Sequence, residues 1–191
     1  MKVLGISGSL RRDSYNTRLL RDASRALPDD ASLEVWNQLA ELPHYNEDDD
    51  VLGAEHPVVA DLRAAIADAD AVLFVTPEYN GSIPGVLKNA IDWASRPTAA
   101  AALRGKPVAA ISASPGQFGG VWAQADTRKA AGIAGARVVD MEFAVAKVNE
   151  AYDADGNLTD PTALDGLADV LETLVEEGRK NAAAKSRLRA A

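Results

Sequence analysis

The chain has 191 residues, of which 47% are hydrophobic and 25% are charged, and its formal net charge is −8. These proportions are ordinary for a folded globular protein and exclude the disordered and fibrous classes. The excess of negative charge argues against nucleic acid as a partner, because phosphate binding requires clustered Lys and Arg. The chain contains no cysteine, which excludes disulfides, thiolate nucleophiles and iron–sulfur clusters, so redox chemistry would require a borrowed cofactor.

The amino terminus leads directly into an apolar run, without the apolar leader and cleavage site of a secretory signal. No apolar run approaches the roughly 20 residues that a membrane-spanning helix requires. We therefore expect a cytoplasmic protein with neither a membrane nor a nucleic acid as its partner.

The first predicted element is a short apolar strand at residues 3–6, which ends in a loop of small and polar residues. The helix that follows has Asn16 as its candidate amino-terminal cap. The free N–H groups and the dipole at such a helix start favour an anion, so the loop is a candidate phosphate site. An exposed polar loop without a ligand is the alternative. The candidate donors are Ser9, Ser14, Asn16 and either Arg11 or Arg12, whereas the carboxylate of Asp13 would repel a phosphate.

Beyond this loop, strands and helices alternate along the chain. Five strands and five helices predict an α/β fold, a doubly wound five-stranded parallel sheet with strand order 2-1-3-4-5. We predict one domain at residues 1–184 and a basic carboxyl-terminal tail at residues 185–191. After the first strand and helix, the predicted strands lie at 32–36, 71–76, 108–111 and 137–141, and the predicted helices begin at Pro57, near Leu87, at Val121 and at Thr162.

Two more turn-rich loops, at residues 77–85 and 112–120, follow the third and fourth predicted strands. The carboxyl ends of the first, third and fourth strands meet near the switch point of such a sheet, so we expect the three loops to hold a ligand together. The GxGxxG and Walker patterns are absent, which argues against a dinucleotide bound in the Rossmann manner. A phosphate loop beside a flat, partly aromatic loop instead suits a mononucleotide with a planar ring.

The sequence offers only weak candidates for a metal site. The acidic run at residues 47–50 lacks fixed ligand spacing, and His44 and His56 lie apart without an HExxH-like partner. Residues 153–157 match only part of a calcium loop, because Gly156 comes before the sixth position, where such a loop requires its glycine. We therefore expect no metal site.

Three segments resemble the NADPH-dependent FMN reductases of the flavodoxin-like superfamily. They read GSLRRDSYN at residues 8–16, TPEYNGSIPGVLKNAIDWASRP at 76–97 and GKPVAAISASPGQFGG at 105–120. The similarity covers about residues 1 to 180, and the group includes enzymes described as quinone, chromate and azo-dye reductases. The resemblance implies a flavodoxin-like sheet with bound FMN. It also implies NADPH as co-substrate and ping-pong transfer of two electrons to a quinone, free flavin, chromate or azo acceptor.

The resemblance also implies roles for residues in the three loops. The first loop would hold the FMN phosphate, the second would border the isoalloxazine ring and the third would close the pyrimidine end of that ring. Tyr79 and Arg96 are the candidate contacts to NADPH or the acceptor, although a surface arginine is the alternative for Arg96. No side chain is expected to act as a nucleophile or obligatory base. The implied cofactor residues are Ser9, Leu10, Arg11, Ser14, Tyr15, Asn16, Pro77, Glu78, Tyr79, Asn80, Gly81, Ser112, Ala113, Ser114 and Gly116.

Members of this family usually pair through helices beside the flavin, so the resemblance implies a homodimer or homotetramer. Phe118 and Trp122 are the candidate contact residues. The main alternative function is that of a flavodoxin, an FMN electron carrier that does not itself oxidise NADPH. A phospho-acceptor receiver of similar topology would need an acidic cluster where this chain has Ser7, Gly8 and Ser9.

Overall fold

The computed structural model describes residues 1–51 and 53–190, with side chains described as far as residue 184. Within these residues a six-stranded parallel sheet has the order β2-β1-β3-β4-β5, with β6 also paired to β4. This order confirms the predicted flavodoxin-like topology. The strands are β1 (Lys2–Ser7), β2 (Ser32–Trp36), β3 (Ala71–Thr76), β4 (Pro107–Ala113), β5 (Arg137–Val138) and β6 (Phe143–Val145). The helices are α1 (Tyr15–Ala26), α2 (Pro57–Asp68), α3 (Gly85–Ala94), α4 (Val121–Ile133), α5 (Val148–Ala151) and α6 (Pro161–Ala190).

Helices cover both faces of the sheet. One apolar cluster joins α1 and α6 to alternate residues of the central strands, including Leu73 and Ile111. The other joins α2, α3 and α4 to the intervening residues, including Phe74 and Ala110. Because successive side chains of a strand point to opposite faces, each central strand contributes to both clusters. This is why β3 and β4 are buried along their whole length and read as continuous apolar runs.

The outer strand of the sheet is interrupted. We predicted one strand at residues 137–141 with extended chain beyond it, but β5 pairs only with Pro107 and Val108, and β6 pairs with the last three residues of β4. Between β5 and β6, Arg128 of α4 forms ion pairs with Asp140 at 2.9 Å and Glu142 at 2.8 Å. These charged residues hold the connection against α4, so a sixth short strand completes this side of the sheet.

The start of α1 differs from the prediction. Ser14, not Asn16, caps the helix, because the Ser14 hydroxyl accepts hydrogen bonds from the backbone N–H groups of Asn16 and Thr17. Asn16 is the second residue of the helix, and its side-chain amide is engaged with another loop. The loop after β1 therefore ends two residues earlier than predicted.

The last helix is longer than predicted. It begins at Pro161 and continues to Ala190, whereas we predicted a helix from Thr162 to about Ala184. Ala191 and the side chains of residues 185–190 lie outside what the structure describes, so the boundary between domain and basic tail remains a prediction. No helix in the described part of the chain combines the length and the apolarity that a membrane crossing requires.

The acidic run at residues 47–50 belongs to a loop fastened to α2 and α3. Arg63 donates to the Asp50 carboxylate at 2.6 Å, to Glu55 at 3.2 Å and to the backbone oxygen of Trp93 at 3.1 Å. Asp50 therefore takes part in an internal ion pair. Among the described residues, no group of three or more His, Cys, Asp or Glu is placed to hold a metal ion.

Candidate functional site

A cleft of about 370 Å³ opens where β1, β3 and β4 end, and we call it the carboxyl-edge cleft. It lies at the switch point of the strand order, as expected for an open α/β sheet. The first loop (8–16), the second loop (77–83) and the third loop (112–120) all contribute to it. The lining residues are Ser9, Arg11, Ser14, Tyr15, Asn16, Pro77, Glu78, Tyr79, Ala113, Ser114 and Pro115.

The first loop presents several unused hydrogen-bond donors. The Ser14 hydroxyl accepts two backbone hydrogen bonds, which leaves its own hydrogen free to donate. The backbone N–H groups of Ser14 and Tyr15 have no acceptor within residues 1–51 and 53–190, although Ser14 is buried. Arg11 adds a guanidinium to the same cleft. Free N–H groups at a helix start, a hydroxyl and an arginine form a donor set suited to a phosphate.

Asn16 ties the first loop to the third. Its side-chain Nδ2 donates to the backbone oxygen of Ala113 at 2.9 Å, and its Oδ1 accepts from the backbone N–H of Ala113 at 2.9 Å. Asn16 is buried, and these two hydrogen bonds fix the position of its side-chain amide. These bonds give Asn16 a structural role and use one of the two hydrogens of its Nδ2, so its role as a phosphate donor stays a prediction. The same pairing occupies the backbone N–H and C=O groups of Ala113.

The second loop is a tight turn that displays Tyr79. Tyr79 and Ser82 exchange two backbone hydrogen bonds of 3.1 Å, and the two residues between them have positive φ angles, 54° at Asn80 and 70° at Gly81. An Asn-Gly pair in this conformation is typical of a type I′ turn. Tyr79 lines the cleft, yet its side chain is 53% exposed. The turn thus holds an aromatic ring at the rim of the cleft.

Glu78 links the second loop to α4. Its Oε2 accepts from the backbone N–H groups of Trp122 at 3.0 Å and Ala123 at 3.1 Å. Those N–H groups belong to the first turn of α4, which favours a carboxylate. Ser82 adds a second link through its 2.6 Å hydrogen bond to Asp126 of α4. Glu78 therefore fixes the loop, and its carboxylate is already engaged.

The third loop is braced by the segment that follows β6. Ser114 donates its backbone N–H to Val145 at 3.0 Å, and the oxygen of Gly116 accepts from the backbone N–H of Lys147 at 3.0 Å. The Ser114 hydroxyl accepts from the N–H of Gly116 at 3.1 Å, which leaves its hydrogen free to donate. Pro115 also lines the cleft. Pro115 is not among the cofactor residues that the resemblance implies, although its position between Ser114 and Gly116 indicates that it belongs with them.

Several predicted ligand residues do not line the cleft. Leu10 projects outward and is 53% exposed. Ser112 is fully buried on the α4 face of the sheet, because strand alternation sends it opposite to Ala113, and its hydroxyl has no partner among the described atoms. Gly116 follows Pro115, which is the last residue of the third loop that lines the cleft. The predicted residues outside the lining are Leu10, Asn80, Gly81, Ser112 and Gly116.

Arg96 lies at the opposite edge of the sheet. The 10 residues of α3 carry the chain about 15 Å away from the carboxyl-edge cleft before Arg96 is reached. There Arg96 lines a second space of about 370 Å³ between the carboxyl ends of α3 and α4, which we call the amino-edge cleft. The contact of Arg96 with NADPH or the acceptor stays a prediction, and the structure places this side chain outside the carboxyl-edge cleft.

Two aromatic side chains near the third loop are exposed. Phe118 is 55% and Trp122 51% accessible, and their rings meet edge to face with centroids 5.1 Å apart. Trp122 lies in the turn of α4 that Glu78 caps, so this pair stands beside the second loop. Both residues are free at the surface of a single chain, where we placed the contact between subunits.

Behind the first loop, Tyr152 and Asp22 form a buried hydrogen bond. The phenol of Tyr152 donates to Asp22 Oδ2 at 2.7 Å, and Arg25 pairs with Asp22 Oδ1 at 3.3 Å. Burial, together with this hydrogen bond, raises the pKa of Tyr152 well above its ordinary value. The phenol therefore stays neutral and joins the chain after β6 to α1.

Comparisons with known proteins agree with the resemblance. Residues 1–150 match the family model described as NADPH-dependent FMN reductase. An NAD(P)H-dependent FMN reductase of Pseudomonas aeruginosa is 43% identical over 175 residues, covering 91% of this chain and 93% of that protein. A quinone reductase of Pseudomonas putida is 41% identical and covers 84% of this chain and 86% of its own length.

Solved structures give the same result. FerB of Paracoccus denitrificans, a flavoenzyme NAD(P)H:(acceptor) oxidoreductase, superposes with a TM-score of 0.81 at 37% identity and covers 94% of this chain and 98% of that chain. A flavodoxin of Pseudomonas aeruginosa reaches a TM-score of 0.56 at 22% identity, which shows the fold alone. The chain therefore belongs to the NADPH-dependent FMN reductase family and is an oxidoreductase that uses FMN and NAD(P)H.

Proposed function

We propose that this protein passes two electrons from NADPH through bound FMN to a small acceptor by a ping-pong route. Quinones are the first acceptors to consider, because a relative with 41% identity is named a quinone reductase. Free flavin, chromate and azo compounds are further candidates from the family resemblance. In this scheme NADP⁺ leaves first, and the acceptor then binds in its place beside the flavin ring.

The observation that supports this proposal is the meeting of unused phosphate donors and an exposed aromatic ring in one cleft. The free N–H groups of Ser14 and Tyr15, the Ser14 hydroxyl and the Arg11 guanidinium lie in the first loop. Tyr79 stands on the second loop of the same cleft. A ligand with a phosphate at one end and a flat ring at the other, such as FMN, fits this arrangement.

The residues of the cleft would hold and orient such a ligand. FMN, when bound, supplies the hydride and electron chemistry. The first loop would bind its phosphate, and the turn at Asn80 and Gly81 would place Tyr79 beside the ring. Ser114, with its free hydroxyl hydrogen, would donate to the polar end of the ring. Because Asn16 and Glu78 brace these loops, little rearrangement is needed on binding.

The chain itself supplies no evident acid or base in the cleft. The residues that line it include neither His nor Lys, and the Glu78 carboxylate already accepts two backbone hydrogen bonds. We infer that the protein contributes position and electrostatics, and that the acceptor's proton comes from solvent.

We further propose a homodimer or homotetramer in the cytoplasm. The exposed pair of Phe118 and Trp122 would be covered by a second copy, which would complete the wall of the cleft beside Tyr79. Neither the number of subunits nor the compartment enters the test of activity that follows.

The test is anaerobic reduction of the FMN-loaded protein by NADPH, followed by mixing with a benzoquinone. We expect bleaching of the flavin absorbance on addition of NADPH and its return on addition of the quinone. Initial rates with both substrates varied should give parallel double-reciprocal lines. A protein that binds FMN but is not reduced by NADPH or NADH would instead be a flavodoxin-type carrier, and a protein that stays colourless with FMN would refute the proposal.

A further inference from the structure

Arg18 packs against two adjoining aromatic rings behind the first loop, whose centroids are 6.1 Å apart. Its guanidinium carbon lies 5.5 Å from the centre of the Tyr15 ring and 5.2 Å from that of Tyr152. Its side chain is half-buried, and among the side chains described as far as residue 184 it has no hydrogen-bond or ion-pair partner. Buried or half-buried guanidinium groups normally have acceptors for several of their five N–H donors.

The carboxylate of Asp22, on the same helix, does not use these donors. Asp22 lies one helical turn beyond Arg18, but its two oxygens are taken by Arg25 and by the phenol of Tyr152. Gly156 lies over the guanidinium, and a Cβ placed there would be 3.7 Å from its Nη1. The rings and this turn thus hold Arg18 in place without neutralising it.

Arg18 is connected to the carboxyl-edge cleft through Tyr15. The Arg11 guanidinium carbon is 5.9 Å from the centre of the same Tyr15 ring, and Arg11 and Tyr15 both line the cleft. We call Arg11, Tyr15, Arg18 and Tyr152 the arginine–tyrosine stack. It extends the positive charge of the first loop by about one turn of α1, roughly 5 Å.

We propose that this stack is a second phosphate subsite, in which Arg18 binds the 2′-phosphate of NADPH. The inference rests on the proposed function, because it assumes that NADPH reduces a flavin held in the carboxyl-edge cleft. The FMN phosphate would use the donors of the first loop, so a second phosphate needs a further cation. The rings of Tyr15 and Tyr152 adjoin each other and do not enclose Arg18, so its N–H donors stay open to bidentate contact with phosphate oxygens.

This subsite would make the enzyme prefer NADPH to NADH, since NADH lacks the 2′-phosphate. The preference would be built into the fold, because packing against the rings of Tyr15 and Tyr152 positions Arg18 before the nucleotide arrives. FMN carries the same phosphate chemistry, so the experiment must tell the two phosphates apart.

The test compares R18M with R21M, R18K and the parent protein, all saturated with FMN. Met keeps much of the packing volume of Arg, and Arg21 is an exposed arginine of the same helix, so R21M has the same change in net charge. For R18M we expect the KM for NADPH to rise roughly tenfold, with the KM for NADH, kcat and FMN affinity unchanged. R18K should fall between R18M and the parent, and R21M should match the parent.

A binding measurement tests the phosphate subsite without requiring the enzyme to turn over. Adenosine 2′,5′-bisphosphate and adenosine 5′-monophosphate are titrated by calorimetry into the FMN-loaded parent protein and into R18M. We expect the bisphosphate to bind more tightly to the parent and to lose that advantage in R18M. An NADPH to NADH preference that is equal in R18M and the parent would refute the subsite. A fall in FMN affinity with an unchanged preference would refute it too and assign Arg18 to the flavin phosphate.

The two proposals fail in different ways. If the parent protein oxidises neither nucleotide, the proposed function fails, and the calorimetric difference between the two adenosine phosphates still decides whether Arg18 binds a phosphate. Thermal unfolding of each variant checks that the packing between Tyr15 and Tyr152 has survived.

Discussion

The carboxyl-edge cleft and the amino-edge cleft have nearly the same volume, about 370 Å³ each, but they differ in how many of their polar groups are free to bind a ligand. The amino-edge cleft contains three cations, Lys88, Arg96 and Arg104. Lys88 pairs with Asp92 at 2.6 Å, and Arg104 donates to the backbone oxygen of Thr98 at 2.7 Å. The cleft also lies at the carboxyl ends of two helices, whose carbonyl groups repel anions.

The carboxyl-edge cleft has fewer cations and more unused donors. Arg11 is the cation among its lining residues, but the N–H groups of Ser14 and Tyr15 lie at the start of α1, where the helix dipole favours an anion. The comparison teaches that the number of cations does not identify a phosphate site. Free donors that face one space, at the favourable end of a helix, identify it better.

The largest effect should come from removing the two hydrogen bonds between the Asn16 side chain and the backbone of Ala113. These bonds join the first loop to the third in the carboxyl-edge cleft. N16A leaves the N–H and C=O groups of Ala113 without partners in a buried place. We expect a loss of about 3 kcal/mol in the free energy of unfolding, measured by urea denaturation. N37A removes an exposed asparagine and should change stability by less than about 0.5 kcal/mol. Equal stability of N16A and N37A would mean that the hydrogen bonds between Asn16 and Ala113 are not formed in solution.

The second effect contrasts the two clefts directly. R11A should weaken FMN binding by about 2 kcal/mol, because a hydrogen bond to a charged group is lost. R96A removes an arginine from the amino-edge cleft and should leave FMN affinity unchanged. Quenching of flavin fluorescence on binding measures both. If R96A weakened binding as much as R11A, the assignment of the ligand to the carboxyl edge would be wrong.

The third effect tests the buried hydrogen bond behind the first loop. Y152F should lower the free energy of unfolding by about 1.5 kcal/mol at pH 8, because Asp22 loses a donor. The pKa of Tyr152 is raised in the fold, chiefly by burial, so the unfolded chain releases this proton first as the pH rises. The stabilisation is therefore complete below the ordinary tyrosine pKa of about 10 and declines above it. The difference between the parent protein and Y152F should narrow between pH 8 and pH 10.5, and a constant difference would contradict this linkage.

The smallest effect concerns the brace between the second loop and α4. E78Q keeps an oxygen that can accept from the N–H groups of Trp122 and Ala123, but it removes the negative charge at the start of the helix. We expect a loss of about 0.5 kcal/mol in stability, measured by thermal unfolding at low and high salt. The loss should shrink at high salt, and a loss that does not depend on salt would indicate a packing effect instead.

Most of the fold could be predicted because it depends on local patterns. The apolar run of β3, the turn residues after β1 and β3, and the spacing of the helices fixed the element order and the switch point. The interruption between β5 and β6 was missed, since it depends on Arg128 reaching Asp140 and Glu142 from another element.

The loops that form the site could be predicted from the sequence, whereas the roles of individual side chains were harder to predict. Ser14 and Asn16 are both good caps, and only the partner of Asn16, 97 residues away, decides between them. Ser112 and Ala113 point to opposite faces of β4, and of the two only Ala113 lines the cleft. The length of α3 could have shown that Arg96 lies at the other edge, whereas the stacking of Arg18 on Tyr152 depends on tertiary packing.

The interrupted outer strand has a consequence for the behaviour of the protein at high concentration. A long, flat border strand would offer a row of free backbone groups to other molecules and could start edge-to-edge aggregation. Here β5 has two residues and β6 has three, and the acidic link between them is clamped by Arg128. A neighbouring chain finds no continuous ladder to extend on this side, so the break protects this border of the sheet, while β2 forms the opposite border.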